Sequence, residues 1–358
     1  MTLAALLADL PIPILQAPMV GASLDGLALA VNAAGGMGTL AGGALAPADL
    51  AATITAMKSA SDRPFGVNLL MTSRTSADAA TIEAALARLA PWYAQLGEPP
   101  PAAPNQFAPD FEAQLAAIAD TAPAVASFTF SILTRDQVEA LQRAGTYVVG
   151  TATTVAEARA WAAVGADGIC AQGFEAGGHR GHFLAETEAS LVGTMALVAT
   201  IRAAVDLPVI AAGGIMDGRG VAAALALGAA AAQMGTAFML SDEATTSKPW
   251  RRALETAGDD PTVLTRAFTG RHARGVENRF MREMRAVENE VPAYPVQNRL
   301  TQPLRAASAA ANDPEMISLW AGQAVALGRS GAAGEMVRRW WAEAGEAAAE
   351  LAARTGRG

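Results

Sequence analysis

Short apolar runs alternate along this chain with alanine-rich stretches of helical length. Apolar runs without polar alternation, separated by helices, are typical of a parallel sheet that is buried on both faces. The predicted strands are 14–17, 38–41, 66–70, 125–130, 147–150, 168–171, 209–212 and 231–234. Predicted helices between them include 24–34, 47–59, 135–144 and 155–164. Eight such units predict an α/β fold, the (β/α)8 TIM barrel.

A doubly wound open sheet is the alternative architecture. It usually has fewer strands and carries a glycine fingerprint directly after the first one. Here the first predicted strand is followed by Pro18-Met19-Val20-Gly21, which is not that fingerprint. The uncharged stretch 221–240 has the length of a membrane span. Because Gly228, Gln233 and Gly235 interrupt it, we interpret it as a helix (217–227) followed by a buried strand (230–234).

Two regions exceed eight bare units. We expect residues 1–240 to form the barrel, with an insertion at about 72–123 that holds helices near 77–96 and 109–119. We expect residues 241–358 to form a mostly helical extension, with helices near 304–311, 315–326 and 334–353, covering or flanking the barrel mouth.

Composition narrows the function. With 52% hydrophobic and 17% charged residues, the chain can bury a large core. Its net charge of −8, without a lysine or arginine block, argues against nucleic acid and anionic membranes as partners. The single cysteine, Cys170, excludes an internal disulfide and suits the cytoplasm, and the N-terminus does not look like a secretory signal. Three histidines and one cysteine form no zinc spacing, so no metal site is predicted.

The carboxyl ends of the predicted strands gather the candidate chemistry, because they open into one mouth of a barrel. Gly213-Gly214 and Gly235-Thr236 follow strands seven and eight, where barrels often bind phosphate through backbone N–H groups. Neutral amides end strands three (Asn68) and six (Gln172), and they suit the polar edge of a flat heterocycle. Pro18 and Met19 offer an apolar wall. Phosphate at one end and a ring with mixed polar edges at the other match the shape of FMN.

His179 follows the glycines Gly177 and Gly178 in the stretch QGFEAGGHRG, residues 172–181. A histidine in a glycine-lined loop can simply cap or pack. A concave site with one histidine and no nucleophilic cysteine or metal cluster favours a general base or an anion-stabilising group. Arg180 and His182 are interpreted as structural or rim residues, Cys170 as a core residue, and the partner of Glu175 stays open.

These residues resemble a known family. The stretch 172–181 is similar to the signature of the FMN-dependent nitronate monooxygenases, formerly called 2-nitropropane dioxygenases. The blocks PILQAPM (13–19), FGVN (65–68), PVIAAGGI (208–215) and QMGT (233–236) are similar to further family blocks in the same order, so the resemblance covers roughly residues 10–310.

The resemblance implies a TIM barrel with non-covalent FMN and an active-site histidine at His179. The residues that it implies in contact with FMN are Met19, Asn68, Gln172, Gly177, Gly178, Gly213, Gly214, Gly235 and Thr236. The segment 292–297 resembles the substrate side of the bacterial enzymes, where Tyr294 would donate a hydrogen bond to substrate. Asn298 and Gln302 stand where more aromatic or basic residues are expected. His272 stands where a proline is expected and is given no catalytic role.

The implied activity is oxidation of alkyl nitronates, such as propionate 3-nitronate, or of nitroalkanes, by O2 to carbonyl compounds and nitrite, in a detoxifying role. The block EAGGH also occurs in FMN enoyl-ACP reductases, so an FMN-dependent NAD(P)H reductase of enoyl thioesters or quinones is the alternative. A non-catalytic flavin-binding barrel is a third possibility. We expect a small-molecule substrate and a monomer or homodimer.

Overall fold

The computed structural model describes residues 1–72, 77–104, 106–259 and 261–356. The strands are β1 (Ile14–Gln16), β2 (Thr39–Ala41), β3 (Gly66–Leu70), β4 (Val125–Thr129), β5 (Tyr147–Ala152), β6 (Gly168–Gln172), β7 (Gly178–His179), β8 (Val209–Ala212), β9 (Ala231–Met234), β10 (Thr262–Thr265) and β11 (Ala273–Val276). The helices are α1 (Leu3–Ala8), α2 (Asp25–Ala33), α3 (Pro47–Ala60), α4 (Ala79–Gln95), α5 (Phe111–Thr121), α6 (Arg135–Arg143), α7 (Val155–Ala163), α8 (Thr194–Ala204), α9 (Gly218–Ala226), α10 (Lys248–Glu255), α11 (Arg279–Met284), α12 (Val296–Ala310) and α13 (Ala333–Arg354).

Eight parallel strands form the central sheet in the order β1-β9-β8-β6-β5-β4-β3-β2. A parallel bridge between Leu15 and Met37 brings β1 next to the start of β2. The buried Gln16 side chain joins the same two strands, because its Oε1 accepts the N–H of Thr39 at 3.0 Å. The sheet therefore closes on itself, and the predicted TIM barrel is confirmed. The eight predicted strands match these elements within two residues at each end.

The ring of helices around the barrel is completed by α13, which is far in sequence from the other barrel helices. α13 packs against α9 and α2, which is the position of the eighth helix in a barrel. The contact is close: a Cβ added at Gly218 would lie 2.2 Å from the carbonyl oxygen of Trp340. Similarly, α5 packs against α3 and adds Leu115 and Ile118 to the main barrel core. The boundary at residue 240 stays a prediction, and the barrel ring includes helices from both predicted extra regions.

A second core lies outside the barrel. Helix α4 packs against α12, and the hydroxyl of Tyr93 donates to the carbonyl oxygen of Leu300 at 2.7 Å. Phe280 stacks on Phe268 with ring centroids 4.5 Å apart and meets Trp92 edge-on at 4.8 Å. Helix α4 of the first insertion therefore forms one packed unit with α11, α12 and the segment around Phe268, and we call it the cap unit. Residues 73–76 and 105 of the predicted insertion lie outside the described residues.

The cap unit contains a small sheet that the sequence did not predict. Its order is β10-β11-β7, so one of its strands comes from the barrel loop after β6. The predicted helix 315–326 was wrong. Its middle is extended and pairs with β11, where the N–H of Val276 donates to the carbonyl of Leu319 at 2.9 Å and Trp320 bridges Gly275. Pairing with a strand distant in sequence outweighs helix propensity here.

Candidate active site

Most candidate residues lie at or just beyond the carboxyl ends of the barrel strands, where a (β/α)8 site forms, but Asn68, predicted to end its strand, is the middle residue of β3. Asn68 lies in β3, and Gln172 is the last residue of β6. Loops carry the rest: the loop after β1 holds Met19, and the loops after β8 and β9 hold the two predicted phosphate segments. One mouth therefore receives all of these segments.

His179 lies where the barrel meets the cap unit. It forms β7 with Gly178, and β7 pairs antiparallel with β11 in the register His179 to Ala273 and Gly178 to Arg274. The N–H of Arg180 continues the contact by donating to the carbonyl of His272 at 2.9 Å. The strand that carries the histidine is thus paired with a strand of the cap unit and not with a strand of the barrel sheet.

Gln172 fixes the same loop from the barrel side. Its Nε2 donates to the carbonyl of His179 at 3.0 Å, and its Oε1 accepts the N–H of Gly181 at 2.7 Å. Both ends of the amide are therefore engaged by the loop. Arg180 is fully buried and donates to the carbonyls of Gly173 at 2.6 Å and Ser190 at 2.8 Å, which makes it the structural residue that the sequence predicted.

Three rings surround the His179 imidazole. The ring centroids lie 5.5 Å away for Phe130, 5.3 Å for Tyr294 and 5.7 Å for Trp320. The Nε2 atom lies 2.9 Å from the hydroxyl oxygen of Thr269. The planes of the three rings are inclined to the imidazole by 84°, 68° and 53°, and His179 is half-buried. Tyr294 stands beside His179, where a substrate-side residue was expected.

The site carries positive charge on arginine rather than on histidine. Burial, together with the positive charges of Arg271 and Arg305, lowers the pKa of His179 to about 3. Burial also raises the pKa of Tyr294 to about 12, so the phenol keeps its proton. His179 is therefore neutral across the physiological range. Arg305 binds Oδ1 of Asn298 at 2.9 Å and so brings a basic group next to a position where one was expected.

Arg271 has a nitrogen left for a ligand. Its Nε donates to the carbonyl of Arg180 at 3.0 Å, and its Nη2 donates to that of His182. Its Cζ lies 4.3 Å above the ring of Phe130. Within the described ranges, Nη1 has no hydrogen-bond partner, no carboxylate lies within 4 Å, and the atom is not among the buried unpaired ones. Nη1 therefore faces space that water can reach.

The two predicted phosphate segments expose backbone N–H groups. Gly213 and Gly214 have φ of +120° and +70°, conformations that L side chains rarely adopt. Across the described part of the chain, the N–H groups of Gly213, Gly214, Gly235 and Thr236 have no backbone acceptor. The hydroxyl of Thr236 accepts the N–H of Gly322 at 2.9 Å. Free amides on two adjacent loops suit an anionic group.

Glu175, whose partner the sequence left open, caps helix α8. Its carboxylate accepts the N–H of Thr194 at 2.9 Å and the hydroxyl of the same residue at 2.7 Å. Its carbonyl accepts the N–H of Gln323 at 3.0 Å. Beside it, a Cβ added at Gly177 would lie 2.5 Å from the carbonyl carbon of Ala321. Gly177 therefore allows two backbone segments to touch.

The polar and apolar walls occupy separate parts of the mouth. Asn68 Nδ2 donates to the hydroxyls of Ser127 at 3.0 Å and Thr129 at 3.3 Å, which leaves its Oδ1 for other partners. Met19 lies next to Gly235, where an added Cβ would meet its sulfur at 3.7 Å. Polar strand ends and a methionine on the opposite loop match the expected wall types.

The other histidines support the loops. The hydroxyl of Thr187 lies 2.8 Å from Nδ1 of His272 and 3.3 Å from Nε2 of His182. Cys170 is buried inside the barrel, and its burial raises the pKa of its thiol to about 12. Gln302 is exposed and binds Arg299, so it lies on the surface and not among these residues.

Sequence reasoning missed residues that come from the cap unit. Thr269 and Arg271 precede β11 and Trp320 bridges it, so the pairing of β11 with β7 brings these three to His179, whereas Arg305 comes from α12. Phe130 was detectable, because it is the last residue of the predicted strand 125–130, yet its left-handed φ of +87° has no sequence signal. In the described ranges no cluster of three His, Cys, Asp or Glu residues suits a metal, and no helix has the length and apolar character needed to cross a bilayer.

Comparisons with known proteins agree with this arrangement. The nitronate monooxygenase family model matches residues 3–343. A probable nitronate monooxygenase of Staphylococcus aureus (strain Newman) is 40% identical over 316 residues, covering 88% of this chain and 89% of that protein.

Two solved structures share the fold over nearly their whole length. The nitroalkane oxidase from Streptomyces ansochromogenes has a TM-score of 0.89 at 42% identity and covers 97% of this chain and 99% of its own. FabK from Thermotoga maritima has a TM-score of 0.77 at 29% identity, with 99% of both chains covered. Because the family model spans the barrel and the cap unit together, this chain belongs to the nitronate monooxygenase family of flavin-dependent oxidoreductases.

Proposed function

We propose that this protein is an FMN-dependent nitronate monooxygenase that oxidises alkyl nitronates, including propionate 3-nitronate or nitronates formed from nitroalkanes, with O2 to carbonyl compounds and nitrite. The observation that carries the proposal is a neutral imidazole, His179, beside an arginine that has no carboxylate partner among the described residues. A base next to a fixed positive charge suits a substrate whose reactive form is an anion.

The residues at the mouth fit a flavin mononucleotide. The free amides of Gly213, Gly214, Gly235 and Thr236 would hold its phosphate. Gly178 has a φ of +72°, and a Cβ added there would meet nothing within 4 Å, which leaves room for a flat group close to the backbone.

Asn68 and Met19 would contact the ring, and Gly177 would help to shape the loop beside it. Gln172 would act through the loop it holds, because both ends of its amide are bonded there. When bound, the flavin would supply the electron acceptor for the organic substrate.

His179 and Arg271 would have different roles: His179 would accept a proton, and Arg271 would bind the resulting anion. A neutral His179 accepts the α-proton of a nitroalkane, and the electrons of the broken C–H bond move onto the nitro group to give the nitronate. A protonated His179 is a poor candidate for holding that anion, because burial keeps its pKa far below neutrality. Arg271 is the better candidate, since its Nη1 is free and its charge is not neutralised by a carboxylate within 4 Å in the described ranges. Tyr294 would add a hydroxyl donor.

Nitrite release is the first test. The flavin-loaded protein should produce nitrite from propionate 3-nitronate in air without added nicotinamide. His179→Asn should reduce turnover of a neutral nitroalkane by about 100-fold or more, while turnover of preformed nitronate falls much less, because only the first reaction needs a base. Equal losses on both substrates would refute the base role of His179, and no nitrite from either would refute the activity.

Arg271→Gln separates the charge role from the base role. The variant should raise KM for the nitronate by about tenfold, with a smaller change for the neutral nitroalkane. Arg279→Gln is the control, because Arg279 also lies over an aromatic ring, 5.2 Å from the centroid of Trp92, but away from His179. An Arg271→Gln variant with unchanged KM for the nitronate would rule out the anion contact.

The alternative that the block EAGGH (175–179) leaves open is an FMN-dependent NAD(P)H reductase of enoyl thioesters or quinones. That activity consumes NADH or NADPH in proportion to product, and the monooxygenase does not. Oxidation of a nicotinamide that depends on an enoyl thioester or quinone, without nitrite formation from nitronates, would favour the reductase. A protein that binds flavin and shows neither activity would be a non-catalytic flavin-binding barrel.

A further inference from the structure

The side chain of Thr269 makes a small, closed hydrogen-bond cluster. Thr269 is buried, and its hydroxyl oxygen lies 2.9 Å from Nε2 of His179. The same oxygen lies 3.0 Å from the carbonyl oxygen of Arg271 and 3.4 Å from the backbone nitrogen of Arg271. One hydroxyl therefore faces a carbonyl, an N–H group and an imidazole nitrogen.

The number of hydrogen atoms available in this cluster determines which nitrogen of the imidazole carries the proton. A carbonyl oxygen only accepts hydrogen bonds, and no other donor among the described residues reaches the Arg271 carbonyl, so the single hydrogen of the Thr269 hydroxyl points there. The hydroxyl oxygen is then left as an acceptor. Its partner at 2.9 Å must supply a hydrogen, so Nε2 of His179 carries the proton in the neutral ring.

The opposite arrangement leaves a defect. If the Thr269 hydroxyl donated to His179, its oxygen would face the Arg271 carbonyl oxygen at 3.0 Å without a hydrogen between them. The carbonyl oxygen of Arg271 would then be left without a donor, which costs free energy on the order of 1–3 kcal/mol in proteins. The backbone of Arg271 therefore selects the direction of the hydroxyl, and the hydroxyl selects the tautomer of His179.

The other ring nitrogen faces the site. Nδ1 of His179 has no hydrogen-bond partner within the described ranges, and it is not among the buried unpaired atoms, so it is accessible from the mouth. Nδ1 then carries the lone pair of the neutral ring. The ring centroids of Phe130, Tyr294 and Trp320 lie 5.5, 5.3 and 5.7 Å from that of the imidazole, and the charge of Arg271 acts on it.

We propose that Thr269 is a positioning residue that holds His179 as the Nε2–H tautomer, so that Nδ1 is the atom that takes the α-proton of the substrate. The inference rests on the function proposed above. In the step, the substrate C–H bond breaks, a new N–H bond forms at Nδ1, and the electron pair stays on the substrate as the nitronate. Thr269 then accepts from a cationic ring, which strengthens its contact to Nε2–H.

The tautomer can be measured directly, because the chain has only three histidines. The flavin-loaded protein labelled with 15N-histidine should give, in long-range 1H–15N spectra at pH 7.5, a His179 ring with a protonated Nε2 and an unprotonated Nδ1. The spectrum of His179→Asn assigns the signal by its loss. A wild-type ring protonated at Nδ1, or on both nitrogens, overturns the proposal without any activity measurement.

Variants at position 269 test the cause. Thr269→Val removes the acceptor at nearly constant volume, and it should shift the His179 ring towards a tautomer mixture and lower nitroalkane turnover by about 100-fold, with a smaller effect on preformed nitronate. Thr269→Ser keeps the hydroxyl and should restore both properties to near the wild-type level. A Thr269→Val protein with an unchanged ring spectrum, or with equal losses on both substrates, overturns the proposal.

A matched control separates the cluster from general packing. Thr301 is buried in the same cap unit, and its hydroxyl donates to the carbonyl of Phe268 at 2.6 Å, without contact to His179. Thr301→Val should leave the His179 ring spectrum unchanged; an equal shift in this variant would mean that Thr269 acts only through folding. The spectrum tests the tautomer, and the nitrite assay tests the proposed function. A wild-type protein with the expected tautomer but no nitrite release would refute the proposed function and not the tautomer.

Discussion

Phe130 directly follows strand β4 and has a φ of +87°, a value that a residue with a Cβ rarely adopts. The ring is buried and touches the site: its centroid lies 4.3 Å from Cζ of Arg271 and 5.3 Å from the ring of Tyr294. Strain in the backbone is therefore tolerated where it places an aromatic ring against His179. The size of that strain can be isolated with two truncations.

Phe130→Ala and Phe130→Gly remove the same ring contacts, which should cost about 3–5 kcal/mol in either variant. They differ in the backbone. Alanine keeps the left-handed strain of about 1–2 kcal/mol, whereas glycine adopts this φ freely. Glycine loses about 0.5–1 kcal/mol through its more flexible unfolded chain. The glycine variant should therefore be more stable than the alanine variant, by about 1 kcal/mol.

Phe128 provides the control on the same strand, since it is fully buried in regular β structure. There the order should reverse, with glycine less stable than alanine by about 0.5–1 kcal/mol. Urea unfolding at pH 7.5, followed by tryptophan fluorescence and circular dichroism, gives the four free energies of unfolding. A Phe130→Gly protein that is no more stable than Phe130→Ala would refute the strain argument.

Three further predictions concern charge, cofactor and fold. Because the pKa of His179 is about 3 in the folded protein and about 6.5 in the unfolded chain, its stability contribution is present above pH 6.5 and is lost as the pH falls. At pH 5 this group lowers the free energy of unfolding by about 2 kcal/mol relative to its value above pH 6.5. Urea unfolding at pH 5 and pH 8 should therefore show a smaller loss of unfolding free energy for His179→Asn than for wild type. Gly178→Ala and Gly97→Ala impose similar strain at φ of +72° and +70°, with open space around both, but only the first should weaken FMN binding, by about tenfold in a fluorescence titration. Gly218→Ala should destabilise the protein by about 1–3 kcal/mol, because its Cβ would strike α13. Gly345→Ala, within α13 and in open space, should instead stabilise it by about 0.5–1 kcal/mol. Equal melting temperatures for the two variants would contradict the packing of α13 as a barrel helix.

The barrel was predictable because its signal is local. Most strands are short apolar runs bounded by glycine or proline, and several helices begin at a residue such as Thr134 or Asp217 whose side chain caps the N-terminus. The glycines that expose amides were also visible, since Gly213 and Gly214 follow directly on β8. These strands, helices and loops depend on residues that are close together in the sequence, so they can be inferred without knowledge of distant contacts.

The cap unit was not predictable in the same way. β10 and β11 are four residues each, mix polar and apolar side chains, and owe their conformation to pairing with each other and with β7. The segment around Trp320 has a helical composition but is extended, because it bonds to β11. The surroundings of His179 depend on these distant pairings, so Thr269 and Arg271 carry no recognisable signal in the sequence.

The short ladder between β7 and β11 has a consequence for how substrate range can vary among related enzymes. Because His179 lies in β7, which pairs with β11 of the cap unit, exchanging residues 262–276 would change the position of the imidazole together with the side chains around it. Under the function proposed above, substrate preference and reactivity would then change together. Changes at Tyr294 and Trp320 would alter the surroundings of the imidazole alone, because their rings border it without belonging to β7 or β11.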